Sequence, residues 1–94
     1  MEKDSKYYVY MLLCSDQTFY TGTSNNVQKR VATHNSGKGA KYTKVRRPVR
    51  LMYTEKLANK SEALKREIAI KKLTRRQKEA LLKSNGINWH DYLI

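Results

Sequence analysis

Residues 7–34, YYVYMLLCSDQTFYTGTSNNVQKRVATH, decide the fold of this 94-residue chain. Residues 7–14 are aromatic and apolar, turn-forming residues follow, and residues 18–23 resume the strand pattern, which together predict a β-hairpin. The nearly continuous apolar character of the first strand indicates that both of its faces are covered. Asn25, with Gln28 three residues later, predicts the capped start of a helix.

This hairpin-helix unit carries polar groups that are unusual for a protein core. Tyr10 lies on the first strand, and Tyr20 lies late on the second, two residues before Gly22, where the backbone can approach another group closely. Arg30 and His34 are four residues apart and share one side of the helix. Phenols, a guanidinium and an imidazole suit the binding of and attack on a phosphate.

The middle of the chain is basic and leads into a third strand. Residues 35–47, NSGKGAKYTKVRR, have no apolar periodicity, so we expect a mobile surface loop. Pro48 then begins a strand in which apolar and polar residues alternate. The inward set is Val49, Leu51 and Tyr53, and the outward set is Arg50, Met52 and Thr54.

Two further helices are predicted after this strand. Ser61 is the expected N-cap of a helix reaching about Leu73, with Leu64 and Ile68 as its buried stripe. Glu67 falls at the edge of that stripe, where a carboxylate needs a cation or a metal as partner.

A capping-box pattern marks the last helix. Thr74 with Gln77 predicts its start, and Asn85-Gly86 predicts its end. We expect residues 1–6 to be disordered, residues 7–83 to form the domain, and the apolar tail 84–94, with Trp89, to pack back on it. The fold class is therefore α/β (α+β): one domain with a three-stranded antiparallel sheet flanked by helices, in the order ββα-βαα.

Charge points to a polyanionic partner. The formal net charge is +12, and no acidic residue occurs between Asp16 and Glu55. Such a one-signed block favours nucleic acid, whereas a merely solubilising surface or an anionic membrane are the weaker interpretations.

Cys14 is the only cysteine, which excludes an intrachain disulfide, and its separation from the two histidines argues against a zinc site. No run approaches the ~20 apolar residues of a membrane span, and we expect a cytoplasmic monomer.

The spaced motifs resemble those of the GIY-YIG endonuclease family. The resemblance rests on Tyr8-Val9-Tyr10, Tyr20-Thr21-Gly22, Arg30, His34 and Glu67, in that order over residues 6 to 83. Residues 35–43, NSGKGAKYT, also resemble the small stand-alone bacterial branch of that family (YhbQ/YazA-like). The chain departs from the family pattern at Tyr8, which replaces a glycine, and at Thr21.

The resemblance implies an activity: metal-dependent hydrolysis of phosphodiester bonds in nucleic acid, DNA rather than RNA. Glu67 would hold Mg²⁺ or Mn²⁺, Arg30 would stabilise charge on the phosphate, and Tyr10 or Tyr20, helped by His34, would orient or deprotonate the attacking water. A phenol with the ordinary pKa of ~10 needs that pKa lowered before it can serve as a base at neutral pH.

The basic segment would hold the nucleic-acid backbone. Its candidate contacts are Lys38, Lys41, Tyr42, Lys44, Arg46 and Arg47. Two alternatives stay open: a nucleic-acid-binding module without useful turnover, and an accessory protein that docks on a nucleoprotein through Trp89. For single residues, Arg30 could instead pair with Glu55 or Glu67, and Glu67 with Lys71.

Overall fold

The fold was obtained as a computed structural model, which describes residues 6–93; the expected disorder at residues 1–5 lies outside that range. Three strands form one antiparallel sheet in the order β2-β1-β3, and helices cover it. The predicted fold class and the order ββα-βαα are confirmed, with one short additional helix. The elements are β1 (Tyr7–Leu13), β2 (Phe19–Ser24), α1 (Val27–Asn35), α2 (Lys41–Lys44), β3 (Arg50–Leu57), α3 (Lys60–Lys71), α4 (Arg75–Ser84) and a 3₁₀ turn (Trp89–Tyr92).

Strand β1 is central, and both of its faces are buried as predicted. Val9, Met11 and Leu13 point into one cluster, against α3 and α4, while Tyr10 and Leu12 point into a second cluster on the side of α1. The alternation of side chains along a strand divides them in this way. Burial on both sides explains why the sequence of β1 shows no polar positions.

Strand β3 does not alternate as predicted. Leu51 faces the second cluster, but both Met52 and Tyr53 are buried in the first. The pairing with β1 shifts at this point: Met11 pairs with Tyr53, and Leu12 pairs with Leu51. Met52 is therefore the extra residue of a β-bulge, which turns it inward.

Two predicted helix starts are wrong by one or two residues. The side chain of Asn26, rather than Asn25, caps α1, and Asn59, rather than Ser61, caps α3. In each case the asparagine side chain accepts a hydrogen bond from the backbone N–H three residues later. Asn and Ser are both favoured capping residues, so the sequence by itself does not distinguish neighbouring candidates of these types.

The last helix follows the prediction. Thr74 and Gln77 form a reciprocal capping box, and the helix ends at Asn85 and Gly86, where Gly86 has a positive φ of 75°. After it, Ile87, Trp89 and Tyr92 pack against the first core cluster. None of the helices among residues 6–93 has the length and apolar character needed to cross a membrane.

The predicted buried stripe of α3 is wrong. Leu64 and Ile68 are 40% and 56% exposed, whereas Ala63 and Ile70 are fully buried. A small residue at position 63 lets the helix approach the sheet closely, and this contact sets the rotation of the helix. Glu67, four residues after Ala63 and three before Ile70, consequently lies on the inward face rather than at its edge.

Residues 35–47 are more ordered than the predicted mobile loop. Helix α2 lies within them, and the Asn35 side chain binds the backbone N–H and carbonyl of Val49 at 2.7 and 3.0 Å. Thr43 of α2 is fully buried. This segment therefore packs against the rest of the domain, and its lysines extend from an ordered backbone.

Candidate active site

The candidate site lies where Tyr10 reaches across the edge strand β2. Tyr10 pairs with Gly22 of β2, and a Cβ atom placed on Gly22 would lie 2.6 Å from the Tyr10 Oη. Glycine at this position therefore leaves the space that the phenol ring occupies. Helix α1 approaches β2 from one face of the sheet and α3 approaches it from the other, so residues of both helices can meet at this edge.

Tyr10 contacts a buried histidine. Its Oη lies 2.8 Å from the Nε2 of His34, whose side chain is completely buried although it is part of a surface helix. The His34 Nδ1 lies 2.7 Å from the Thr43 Oγ1. Gly39 passes so close that a Cβ there would lie 2.5 Å from Nδ1. The imidazole is therefore held on three sides.

Tyr20 forms the more open side of the cluster. Its ring centroid lies 5.1 Å from that of His34 and 6.4 Å from that of Tyr10. On its other side it stacks on Tyr42 at 6.0 Å, and the Arg46 guanidinium covers the Tyr42 ring at 3.9 Å. The aromatic rings thus continue from the buried site to the basic segment.

Arg30 is exposed, and its charge influences the pKa of Tyr10 and of His34. Burial raises the pKa of Tyr10, and Arg30 opposes that rise. Burial lowers the pKa of His34, and the positive charge of Arg30 lowers it further. The two ion pairs considered for Arg30 do not form: Glu55 binds Arg66 at 2.7 Å, and Glu67 binds Lys71. Among residues 6–93, Arg30 thus pairs with no carboxylate, whereas Arg66 does.

Glu67 brings a carboxylate to the cluster from α3. Its side chain is only 17% exposed, and its negative charge contributes to raising the pKa of Tyr10. The Lys71 Nζ lies 2.8 Å from the Glu67 Oε2 and 5.9 Å from the centroid of the Tyr20 ring. The alternative in which Glu67 pairs with Lys71 is therefore observed, but at a site facing Tyr10 rather than on an outer surface.

The protonation of the central pair follows from burial. Desolvation raises the pKa of Tyr10 to about 12, in spite of the opposing effect of Arg30. Desolvation, and then the charge of Arg30, lower the pKa of His34 from its ordinary 6.5. Tyr10 is thus a neutral phenol and His34 a neutral imidazole near pH 7. The lowered pKa that a tyrosine base requires is not found at Tyr10, but a neutral imidazole able to take its proton is within hydrogen-bond distance.

The donor set fits a lightly held divalent cation. Among residues 6–93, no three carboxylate, imidazole or thiol groups come together as a ready-made metal cage. Mg²⁺, however, is commonly bound through one or two carboxylates, with water and substrate phosphate completing its coordination. The half-buried Glu67, which already holds a cationic ammonium group, is a carboxylate of that kind.

The candidate backbone contacts divide into two groups. Lys38, Lys41, Lys44 and Arg47 are exposed on the segment around α2. Arg46 instead binds the Asp16 carboxylate at 2.9 Å, donates to the carbonyl of Tyr42 and covers its ring. These contacts give Arg46 a role in holding Tyr42 in place. Sequence reasoning missed Thr43, and it also missed Lys78, which lines a cleft with Tyr20, Tyr42 and Lys71.

The fold and these residues match a known class. The GIY-YIG catalytic domain matches residues 6–80, and the chain belongs to that family, as the resemblance predicted. A UPF0213 protein from Staphylococcus haemolyticus is 57% identical over 74 residues, which cover 79% of this chain and 90% of the relative. A UPF0213 protein from Clostridium perfringens is 53% identical over 85 residues, covering 90% and 91%.

Solved structures agree with the architecture. The solution NMR structure of a UPF0213 protein from Bacillus halodurans is 46% identical, covers 86% of both chains and has a TM-score of 0.58. That of a protein from E. faecalis is 50% identical, covers 92% of both chains and has a TM-score of 0.61. The family and the fold of this chain are therefore shown by both sequence and structure.

Proposed function

We propose that this protein is a metal-dependent endonuclease that hydrolyses phosphodiester bonds in nucleic acid, with DNA as the substrate. The observation that carries the proposal is the buried Tyr10–His34 hydrogen bond, which lies within the electrostatic reach of both Arg30 and Glu67. A base, its proton acceptor, a guanidinium and a carboxylate are the groups that hydrolysis of a phosphodiester requires. The domain family supports the same class of reaction.

Glu67 is the residue that would hold the divalent cation, Mg²⁺ or Mn²⁺. A bound cation of this kind supplies a Lewis acid that stabilises the charge on the leaving oxygen. The Glu67 carboxylate already binds the ammonium group of Lys71, which the metal would displace. Lys71 would then be free to contact the substrate.

Tyr10 and His34 would move the proton of the attacking water. The water gives its proton to the Tyr10 Oη as the phenol passes its own proton to the His34 Nε2, 2.8 Å away. Tyr10 loses one proton and gains another in the same step, so it never has to exist as a free phenolate, whose formation its raised pKa of about 12 opposes. The proton taken from the water ends on His34, which becomes an imidazolium. Tyr20 lines the opening and would orient the water.

Arg30 and the basic segment would act on the phosphates. The exposed Arg30 guanidinium suits a non-bridging oxygen of the scissile phosphate, whose charge grows in the transition state. Lys38, Lys41, Lys44 and Arg47 would hold the flanking backbone without reading base identity.

A second candidate is binding to nucleic acid without useful turnover. The observation that favours it is the Lys71–Glu67 ion pair, which occupies the proposed metal ligand. The third candidate, docking through Trp89, has less support because the Trp89 ring is already in contact with Phe19, Arg75 and His90 of its own chain.

The test is a cleavage assay set beside a binding assay. End-labelled single-stranded, duplex and branched DNA, and the corresponding RNAs, are incubated with Mg²⁺, with Mn²⁺ and with chelator. We expect cleavage of DNA that requires the metal and is abolished in Glu67→Gln, while binding persists in that variant. Binding without metal-dependent cleavage of any substrate would favour the second candidate and overturn the proposal.

A further inference from the structure

The hydrogen bonds of Thr43 indicate a direction for those of His34. The Thr43 hydroxyl has one proton, and the carbonyl of Ala40 lies 3.0 Å away as an acceptor for it. With the proton directed to this carbonyl, the Thr43 oxygen, 2.7 Å from the His34 Nδ1, is left to accept a hydrogen bond from that nitrogen. This arrangement corresponds to a neutral imidazole with its proton on Nδ1 and the lone pair of Nε2 toward Tyr10.

This direction determines what Tyr10 can do. With Nε2 unprotonated, the Tyr10 hydroxyl donates to it at 2.8 Å, and the phenol oxygen can accept another proton through a lone pair. With the proton on Nε2 instead, the imidazole would donate to Tyr10 and could not take its proton. The tautomer of His34 thus decides whether the pair can relay a proton.

We propose that Thr43 is a positioning residue, which acts through His34 by holding the imidazole in the Nδ1-protonated tautomer. The consequence of this positioning for catalysis rests on the proposed nuclease function. Thr43 and His34 are both fully buried, so the Thr43 hydroxyl faces Nδ1 without competition from bulk water. The carbonyl that orients the hydroxyl belongs to Ala40, the residue that caps α2.

The short helix α2 and the residues around it therefore position the Thr43 hydroxyl in the site. Asn35 ties the end of α1 to Val49, and the backbone N–H of Thr43 donates to the carbonyl of Ala40, closing the turn that carries the hydroxyl. Gly39 permits this turn to pass against the His34 ring. The segment holds one hydroxyl group against one imidazole nitrogen.

The experiment measures the tautomer directly. Long-range ¹⁵N–¹H NMR spectra of the whole chain, labelled with ¹⁵N-histidine, distinguish the protonated from the unprotonated ring nitrogen of His34. Spectra are recorded near pH 7.5 for the parent protein, Thr43→Val, Thr43→Ser and Thr54→Val. Thr54 is an exposed threonine on β3, and its replacement is the matched control.

We expect Nδ1-protonated His34 in the parent, in Thr43→Ser and in Thr54→Val, and a mixture or the Nε2-protonated form in Thr43→Val. Protonation of Nε2 in the parent protein would overturn the inference by itself, even if Thr43→Val does not fold. Retention of the Nδ1 form in a folded Thr43→Val would overturn it equally.

Cleavage assays on the same four proteins connect the tautomer to the reaction. We expect kcat to fall about tenfold or more in Thr43→Val with little change in KM, and to recover in Thr43→Ser, as for loss of a proton-transfer partner. A Thr43→Val protein with the altered tautomer but unchanged kcat would show that the relay is not used. If the parent protein cleaves nothing, the proposed function fails, whereas the NMR result still decides the role of Thr43.

Discussion

The Glu67 carboxylate is bound by Lys71, with 2.8 Å between Oε2 and Nζ. The two residues are one helical turn apart on α3, on the side that faces Tyr10 and Tyr20. A divalent cation that uses Glu67 must compete with this ammonium group. The ion pair therefore opposes metal binding in the protein without substrate.

Removal of Lys71 should strengthen the binding of Mn²⁺. A partly exposed ion pair of this kind contributes up to ~1 kcal/mol, so we expect Lys71→Ala to bind the metal about two- to fivefold more tightly. Mn²⁺ affinity is measured by electron paramagnetic resonance of the free ion, without nucleic acid. Lys65→Ala, which removes the exposed partner of Glu62, is the control and should leave the affinity unchanged. Equal affinities in Lys71→Ala and Lys65→Ala, or retained binding in Glu67→Gln, would contradict the assignment of Glu67 as the ligand.

Arg30 should matter to function more than to folding. Arg30 is exposed, and the carboxylates of Glu55 and Glu67 are bound by other cations. We therefore expect Arg30→Ala to melt within a few degrees of the parent. Its loss should lower cleavage about a hundredfold, as for other contacts to charge that develops in a transition state. Arg30→Lys restores the charge but not the planar fork, and it should rescue cleavage only in part. Thermal melting and cleavage rates of both variants are compared with those of the neighbouring Lys29→Ala. An unfolded Arg30→Ala would show a structural role, and an Arg30→Ala as active as the parent would show that Arg30 does not act in cleavage.

His34 should make the fold sensitive to mild acid. In the unfolded chain its pKa is near the ordinary 6.5, whereas burial and Arg30 lower the pKa in the folded protein. Between these two values the unfolded chain binds a proton that the folded chain does not. The free energy of unfolding should therefore be constant above pH ~7 and should fall as the pH decreases from there.

The sensitivity is measured by urea unfolding at pH values between ~7.5 and ~5.5, above the titration of ordinary carboxylates. The slope with pH should be smaller in His34→Gln and unchanged in His90→Gln, which replaces an exposed histidine of the 3₁₀ turn. An unaltered slope in His34→Gln would show that another group is responsible.

Thr21, a departure from the family motif, should weaken the fold. It is 3% exposed, and its hydroxyl has no hydrogen-bond partner among residues 6–93. Replacing a buried hydroxyl of this kind by a methyl group of similar shape should raise the free energy of unfolding by about 1 kcal/mol in Thr21→Val. Cleavage should stay near the parent level. Destabilisation in Thr21→Val would indicate a hydrogen bond to a buried water molecule.

The exposed lysines around α2 should account for part of the salt dependence of binding. If the protein neutralises about six phosphates of duplex DNA, log K should fall with log salt with a slope of about −0.9 per contact. Replacing Lys38, Lys41 and Lys44 by alanine should make the slope less negative by up to ~2.7. Arg46→Ala should instead lower the melting temperature, since Arg46 holds Asp16 and Tyr42. Fluorescence anisotropy at several salt concentrations checks the slopes, and an unchanged slope in the triple variant would place the nucleic acid elsewhere.

Local patterns were sufficient for much of the architecture. The apolar run of β1, the turn after it and the Thr74–Gln77 capping box each depend on residues close in sequence, and each is found as predicted. The motifs also predicted the family, because Tyr8-Val9-Tyr10, Tyr20-Thr21-Gly22, Arg30, His34 and Glu67 resemble those of the family in order and spacing.

Tertiary packing decided the parts that involve contacts distant in sequence. The rotation of α3 depends on how closely Ala63 approaches the sheet, so the sequence by itself favoured Leu64 and Ile68 for the core and placed Glu67 too far outward. The protonation of the site depends on the burial of Tyr10 and His34, which no local pattern contains. The contact between Thr43 and His34 likewise exists only because the basic segment folds back over α1: a hydroxyl and an imidazole nine residues apart share one hydrogen bond when both are withdrawn from water.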